Sequence, residues 1–437
     1  MNLPARCDVA IVGSGITGVS AAITLARAGR SVLVLEMGAL GQGASTRNAG
    51  FVGRTLKHRF SKLIETVGLE QAIRTYREMQ AAFESVATII KEESIDCGFA
   101  VRGRFIPAPS PAHYESLARE FEAQARHLGV EFHMVPQEEQ HRELGSERYH
   151  GGAVITDLAG LHPGLYHAGL LRIAESAGVL FAPRTRVERV APSDRGCTVA
   201  TTAGQLSAGE AIVATNGYTG HATPWFAHRV IPFDAYMIAT EPLKSEVIDS
   251  VLPTRRTCID WNNDALYIRP SPDGSRILFG GLTGSRPGDL REKATRLEQK
   301  LKETFPDLQH ASLAHVWTGR CAATFDMYPH LKRIGPIQYV GGYCFAGVPM
   351  GTYLGQKAAL SILGSSDAAT VFSELSFPSL PFHRGGSWFV PAAMVYYRWR
   401  DRRDAAKSPG KGARSGVPAA KRRAARRQRG RALRDRQ

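Results

Sequence analysis

The stretch Asp8-Val-Ala-Ile-Val12 ends abruptly at Gly13-Ser-Gly15-Ile-Thr-Gly18. Beyond it Ala21, Ala22, Ile23 and Leu25 fall on one helical face, and a second apolar run, Ser31-Val-Leu-Val-Leu-Glu36, closes on an acid. This pattern predicts a buried strand, a tight turn, a helix and a second buried strand. Helical spacing with charges on the opposite face returns from Leu63 to Ile90 and from Tyr114 to Leu128, so each stretch predicts one long helix. Arg184-Thr-Arg-Val-Glu-Arg-Val190 and Ala211-Ile-Val-Ala-Thr-Asn-Gly-Tyr218 predict strands, the second ending in a small-residue turn. Strand signals cluster between residues 230 and 283, and Leu354, Ala358, Ala359 and Ile362 define one face of a helix from Thr352 to Leu363.

The order strand, glycine turn, helix, strand, acid describes a dinucleotide site. Gly13 allows the tight turn, Gly15 lacks the Cβ that would block a pyrophosphate, and Gly18 lets helix and strand pack closely. Ser14 and Thr17 lie where the first N–H groups of the helix face the phosphates. Glu36, eighteen residues beyond Gly18, is placed to accept both hydroxyls of an adenosine ribose and to disfavour a 2′-phosphate.

A second small-residue loop, Gly41-Gln-Gly-Ala-Ser-Thr-Arg-Asn-Ala-Gly50, follows the ribose acid, and a nicotinamide enzyme has no need of it. In this loop the chain resembles the D-amino acid oxidase, sarcosine oxidase and glycine oxidase superfamily of flavoproteins, where such a segment approaches the pyrophosphate and the flavin ring. The resemblance runs over roughly residues 7 to 400. It is carried by Ile95-Asp-Cys-Gly-Phe99, Gly103-Arg-Phe-Ile-Pro-Ala108, Leu161-His-Pro-Gly-Leu-Tyr166, Trp317-Thr-Gly-Arg-Cys-Ala-Ala-Thr324 with Asp326, and Gly342 to Gly355. Within the superfamily these stretches are similar to the branch that includes gamma-glutamylputrescine oxidoreductase.

The resemblance implies an α/β chain, α+β overall, with a Rossmann-like FAD-binding domain interrupted by an antiparallel-sheet substrate domain. The FAD-binding domain would comprise residues 1–60, 150–225 and 310–400, and the substrate domain 61–149 and 226–309. The cofactor implied is FAD, held by Ser45, Arg47, Asn48 and Gly50 in the loop, by the backbone of Val187 at the adenine, and by Gly217. Gly319, Gly347, Val348, Gly351 and Thr352 would meet the flavin end. A helix N-terminus aimed at the ring would stabilise the negative charge that reduction creates. Some relatives attach FAD through a cysteine near Trp317, but the corresponding position is Gly319, so non-covalent FAD is expected and Cys321 is the residue to test. Relatives commonly place a glycine and a polar or basic residue where Phe345 and Ala346 stand, which removes a donor near the ring. For the substrate, Arg269 and Tyr267 lie on the strand that carries carboxylate-binding arginines in similar oxidases; an ordinary ion pair is the competing role for Arg269. Ile277-Leu-Phe-Gly280 offers no lysine to activate oxygen.

Composition adds limits. Among 437 residues 43% are apolar, enough for a large core. No signal-peptide pattern opens the sequence, and the longest later apolar run, Phe389 to Tyr397, is far short of the ~20 residues that span a bilayer. A cytoplasmic location is expected. The six cysteines are scattered without a C-x-x-C pair, so no disulfide is expected, and the fourteen histidines show no ligand spacing, so no metal site is expected. Residues 405 to 437 hold twelve Lys or Arg against Asp435 alone, a net +11, while the preceding 404 carry +4 of the overall +15. With Val417 and Leu433 as its large apolar residues, the stretch 401–437 is expected to be a basic disordered tail. It is a candidate for weak contact with nucleic acid or an anionic membrane surface, although it lacks the aromatic residues of a base-stacking site.

The activity expected is oxidation of the C–N bond of an amine or amino acid to an imine, with oxygen as acceptor. One alternative is a dehydrogenase of the same fold that passes electrons to a quinone or carrier protein. Another class altogether is a nucleic-acid-associated flavoprotein that uses the basic tail. Polyamine conjugates, N-methyl amino acids and D-amino acids all fit the pattern.

Overall fold

The computed structural model describes residues 3–284, 289–381 and 383–405. Two large sheets organise them. In the first, strands Val187–Ser193, Gly196–Thr201, Gly204–Val213, Arg6–Val12, Val32–Leu35 and Leu180–Ala182 lie in that order. Arg6–Val12 is parallel to both of its neighbours, and Ile337–Gly341 joins in parallel beside Gly204–Val213. Side chains alternate across the central strands. Val9, Ile11, Val32 and Val34 enter one core, while Cys7, Ala10, Val12, Leu33 and Leu35 enter another. Both faces are therefore covered, which explains why these strands read as continuous apolar runs.

The first core is closed by helices Ile16–Arg27, Pro163–Ser176 and Gly347–Ile362. The predicted helix from Leu63 to Ile90 is two helices, Phe60–Val67 and Leu69–Glu92. Gly68, at φ +83°, breaks them, in a conformation that a side chain rarely adopts. Met79, Ala82, Phe83 and Val86 of the longer piece pack into the core around Val9 and Ile11. That helix, expected in the substrate domain, thus packs on the nucleotide-binding half. Its apolar stripe was legible; which core it joined was not.

The second sheet runs Leu313–Thr324, Val230–Thr240, Ile277–Gly284, Tyr267–Pro270, Thr257–Ile259, Arg104–Pro107, Gly152–Ile155, Phe132–Val135. All neighbours are antiparallel except Thr257–Ile259 and Arg104–Pro107. Gly152–Ile155 and Leu313–Thr324 belong here and not to the nucleotide-binding sheet, as the expected boundaries at 150 and 310 would have it. Leu313–Thr324 pairs along almost its whole length with Val230–Thr240, a partner far away in sequence. Helix Pro111–Leu128 begins at the Ser110 side-chain cap and stops at left-handed Gly129.

The helix expected from Thr352 begins five residues earlier, at Gly347. Residues 401–405, expected in the tail, complete helix Val390–Ala405, whose Val390 and Met394 pack against Ile231, Phe233 and Ala323. The expected disordered, basic stretch from 406 onward lies outside the described residues. Among the described residues no helix is long and apolar enough to cross a membrane, and no cluster of side chains suits a metal ion.

Candidate active site

A cavity of about 1200 Å³ runs from the carboxyl ends of the first sheet to the inner face of the second. Its floor is the predicted turn. Gly13, at φ +105°, carries the chain from strand to helix, and its N–H donates to Leu35 O at 2.8 Å. A Cβ on Gly18 would lie 2.0 Å from Gly13 O, so only glycine permits this packing. The N-cap residue of helix Ile16–Arg27 is Gly15, which has no side chain to cap it, and the first turn holds no acid, which leaves its positive end turned to the cavity. Glu36 accepts from Ser14 N and Ser14 Oγ through one oxygen and from Gly38 N through the other. Its carboxylate is thereby fixed at the cavity edge.

Ser45 Oγ accepts from Ile16 N at 3.0 Å, which draws the second loop over the first. A Cβ on Gly15 would come within 2.8 Å of that hydroxyl. Asn48 fastens its own loop, with Nδ2 donating to Ser45 O and Oδ1 accepting from Gly50 N. Arg47 is exposed at the rim, and its carbonyl accepts from Trp317 Nε1 at 2.9 Å. Across the cavity Gly319 faces Ala44 and Arg47, and a Cβ there would stand 3.5–3.7 Å from them.

Of the predicted cofactor residues, Gly13, Ser14, Gly15, Thr17, Glu36, Ser45, Arg47, Asn48, Val187, Gly319, Gly347 and Val348 line the cavity. Gly18, Gly50, Gly217, Gly351 and Thr352 stand behind the wall. Gly50 would drive a Cβ to 2.0 Å from Leu161 O, Gly217 to 2.4 Å from Cys321 O, and Gly351 to 3.0 Å from Thr17 Oγ1. Thr352 bonds Tyr166 in the core. These five shape the cradle by close packing from outside its lining. Sequence reading missed His167, whose Nε2 meets Ser14 O at 2.7 Å, and Asn216, whose Oδ1 accepts from Gly342 N. Burial lowers the His167 pKa, so a neutral ring props the glycine turn.

The two residues expected at the substrate are placed differently. Arg269 does not line the cavity. Its Nη1 donates to Ala49 O, Gly50 O and Leu161 O, and its Nε to Pro270 O, so the guanidinium clamps three segments of backbone. Its Nε and Nη1 are thus held by carbonyls and not by a carboxylate. Tyr267 does line the cavity, with its hydroxyl donating to Tyr236 O and its ring edge-on to Phe51 at 6.3 Å. Phe345 turns outward at φ +77°, and Lys57 Nζ lies 5.3 Å from its ring centroid. A cation thus reaches this turn from a distant loop, where local sequence had shown only a lost donor. Cys321 lines the cavity, but burial pushes its thiol up to about 12, too high for a ready thiolate nucleophile.

A cradle of this length has a fixed carboxylate, Glu36, at one end and a helix N-terminus at its middle. Joined to a second chamber, it defines a flavin-dinucleotide oxidoreductase. The family model described as FAD dependent oxidoreductase matches residues 8–360, and the chain belongs to that family. It is similar to a probable oxidoreductase OrdL of Rhizobium meliloti (strain 1021), with 31% identity over 91% of this chain and 92% of the relative. It is also similar to the gamma-glutamylputrescine oxidoreductase of Escherichia coli (strain K12), with 29% identity over 92% and 94%. The crystal structure of glycine oxidase from Geobacillus kaustophilus shares the fold at a TM-score of 0.71 and 21% identity, over 86% of this chain and all but 1% of that one, at 99%. The cofactor is accordingly FAD. Glu36 would hold its ribose, the turn at Gly13 to Thr17 with Ser45 its pyrophosphate, and the Gly319 and Gly347 walls its ring.

Proposed function

We propose that the protein oxidises the C–N bond of an amine or amino acid to an imine, with oxygen as the electron acceptor. Hydride leaves the carbon, the nitrogen lone pair forms the C=N bond, water then releases a carbonyl product and an amine, and oxygen leaves as hydrogen peroxide. FAD supplies the two-electron acceptor for this chemistry. The residues have to orient and desolvate the substrate.

One observation carries the reading: among the described residues, the acids that line the chamber beyond the cradle, Glu120 and Asp260, are both engaged by internal donors. Glu120 accepts from Phe60 N, Ser61 N, Ser61 Oγ and Gln124, and Asp260 accepts from Asn262 and Leu266 N–H groups. Hydride removal beside nitrogen needs no carboxylate base. It needs a neutral amine, and the apolar surfaces of Phe51, Ile106 and Leu158 with nearby cations both favour loss of the ammonium proton. The names of the Escherichia coli relative and of the glycine oxidase that shares the fold support the same class of substrate.

Anaerobic mixing of the FAD-loaded protein with amines tests this. Bleaching near 450 nm followed by recovery and peroxide on admitting oxygen is expected. Bleaching that oxygen does not reverse would favour the dehydrogenase, and a flavin that no amine reduces would sink the proposal.

A further inference from the structure

We propose that the outward face of helix Val390–Ala405 rests on an anionic lipid surface, to which the basic residues that follow it add their charge. The protein then lies on a membrane and does not span one.

The helix has two faces. Val390 and Met394 pack inward against Ile231, Phe233 and Ala323 with Tyr397 beside them, and Asp401 turns the same way to bond Asn263 and Asp264 N. The opposite side of a helix so placed is polar when water covers it. Here it carries Ala392, Val395, Tyr396 and Trp399, at spacings of three and four, and Trp388 stands in the turn that leads into the helix. Trp388 is 78% exposed, Val395 60%, Tyr396 54% and Trp399 52%. The other three tryptophans of the chain are half-buried. Single exposed apolar side chains are ordinary, but several along one helix face mark a contact surface.

Charge decides what covers this face. Arg402 and Arg403 close the stripe, both exposed, and residues 405–437 continue with twelve Lys or Arg against Asp435 alone. The helix acids are engaged elsewhere: Asp401 holds Asn263, and Asp404 Oδ2 lies 3.7 Å from Arg400 Nε. The basic stretch itself is a poor cover, since it would bring like charge to Arg402 and Arg403 with only Val417 and Leu433 as large apolar side chains. A second copy of the helix would bring the same arginines. Nucleic acid matches the charge, but Ala392 and Val395 give a base nothing to stack on, and the Trp399 ring is already met by Arg403 Cζ at 5.5 Å and by the Tyr396 ring at 5.9 Å. An anionic bilayer satisfies both parts at once. Indole and phenol rings settle at the level of the headgroups, Val395 enters the acyl boundary, and the basic residues meet lipid phosphates.

The test uses the full-length, FAD-loaded protein with vesicles of phosphatidylcholine, alone or mixed with phosphatidylglycerol, and reads co-sedimentation and quenching of tryptophan fluorescence by brominated acyl chains. Wild type is expected to bind the mixed vesicles at least about 10-fold more tightly than the neutral ones, to be quenched on them, and to be released by salt. Trp388→Ser combined with Trp399→Ser is expected to bind about 10-fold more weakly and without quenching, while turnover in solution is unchanged. Val395→Asp, which leaves both indoles in place, is expected to weaken binding in the same direction. Failure of wild type to bind mixed vesicles overturns the proposal. So does binding that all these variants keep in full, which would assign it to the basic stretch alone. Preference for a single-stranded oligonucleotide over the vesicles, lost in the double variant, would make the face a nucleic-acid site. A dimer in sedimentation equilibrium that the double variant abolishes, with no vesicle binding, would make it a subunit interface.

Discussion

Thr17 and Tyr343 share a buried hydrogen bond of 2.7 Å between their hydroxyls, 326 positions apart in sequence. Thr17 lies in the first turn of helix Ile16–Arg27, and Tyr343 in the turn before helix Gly347–Ile362; both line the cavity. The bond fastens the glycine turn at the middle of the cradle to the wall that would meet the flavin. Tyr343→Phe leaves Thr17 without this partner and is expected to cost about 1–2 kcal/mol. Denaturant unfolding of the FAD-free protein measures it, and an unchanged midpoint would show that the bond contributes nothing.

Non-covalent FAD has a direct check. Gly319 offers no nucleophile, and the Cys321 thiol is pushed up to about 12 by burial. Acid precipitation is expected to leave all the flavin in the supernatant, for wild type and Cys321→Ala alike. Yellow protein in the pellet that disappears in Cys321→Ala would identify that thiol as the attachment point.

Asp260 gives a pH dependence of definite sign. Burial raises its carboxyl from the ordinary range to about 7, against the bonds from Asn262 and Leu266. The folded state therefore binds this proton more tightly than the unfolded state does. Stability from this group is fully present below about pH 4 and is lost as pH rises toward about 7. Asp260→Asn keeps an acceptor oxygen without the titration. The wild-type-minus-variant difference in unfolding free energy is expected to fall across that window and to be flat above it. A difference that rises through the window would contradict the assignment.

Helix Val390–Ala405 braces a loop of the chamber wall, in part through Asp401. Asp401 Oδ1 accepts from Asn263 N and Nδ2, and Oδ2 accepts from Asp264 N, which pins the loop that carries Trp261, Asn262 and Ala265 along the wall. Asp401→Ala is expected to raise KM by roughly 3- to 10-fold with little change in FAD affinity. Removing residues 406–437 should change neither. Steady-state kinetics and flavin titration separate the two, and loss of turnover on removing the tail would give the tail a role in catalysis.

The first fifty residues were legible because their constraints are local. Gly13 needs its φ, Gly18 its missing Cβ, and Glu36 its place at a strand end, and each leaves a residue type at a fixed spacing. Gly68 was misread because one glycine inside an amphipathic stretch resembles a tolerated defect. The start of the last core helix was misread for the opposite reason. Gly347 and Gly351 are poor helix formers, yet a Cβ on Gly351 would press to 3.0 Å from Thr17 Oγ1, so packing overrides propensity. Arg269 and Arg104 show the remaining limit. Carbonyls of residues 49, 50 and 161 take up Arg269 Nη1, while Arg104 Nη2 has no acceptor among the described residues. Neither fact exists until three strands and two loops have met.

The contact between helices Ile16–Arg27 and Gly347–Ile362 also sets an order of events during biosynthesis. Helix Gly347–Ile362 is synthesised long after the turn whose flank it covers. Until it has left the ribosome, the turn lacks that neighbour and the cradle lacks the wall at Gly347 and Val348. Cofactor capture is therefore expected to follow synthesis of that helix. A translation product cut short before it would keep the most recognisable stretch of this sequence without the wall that faces it.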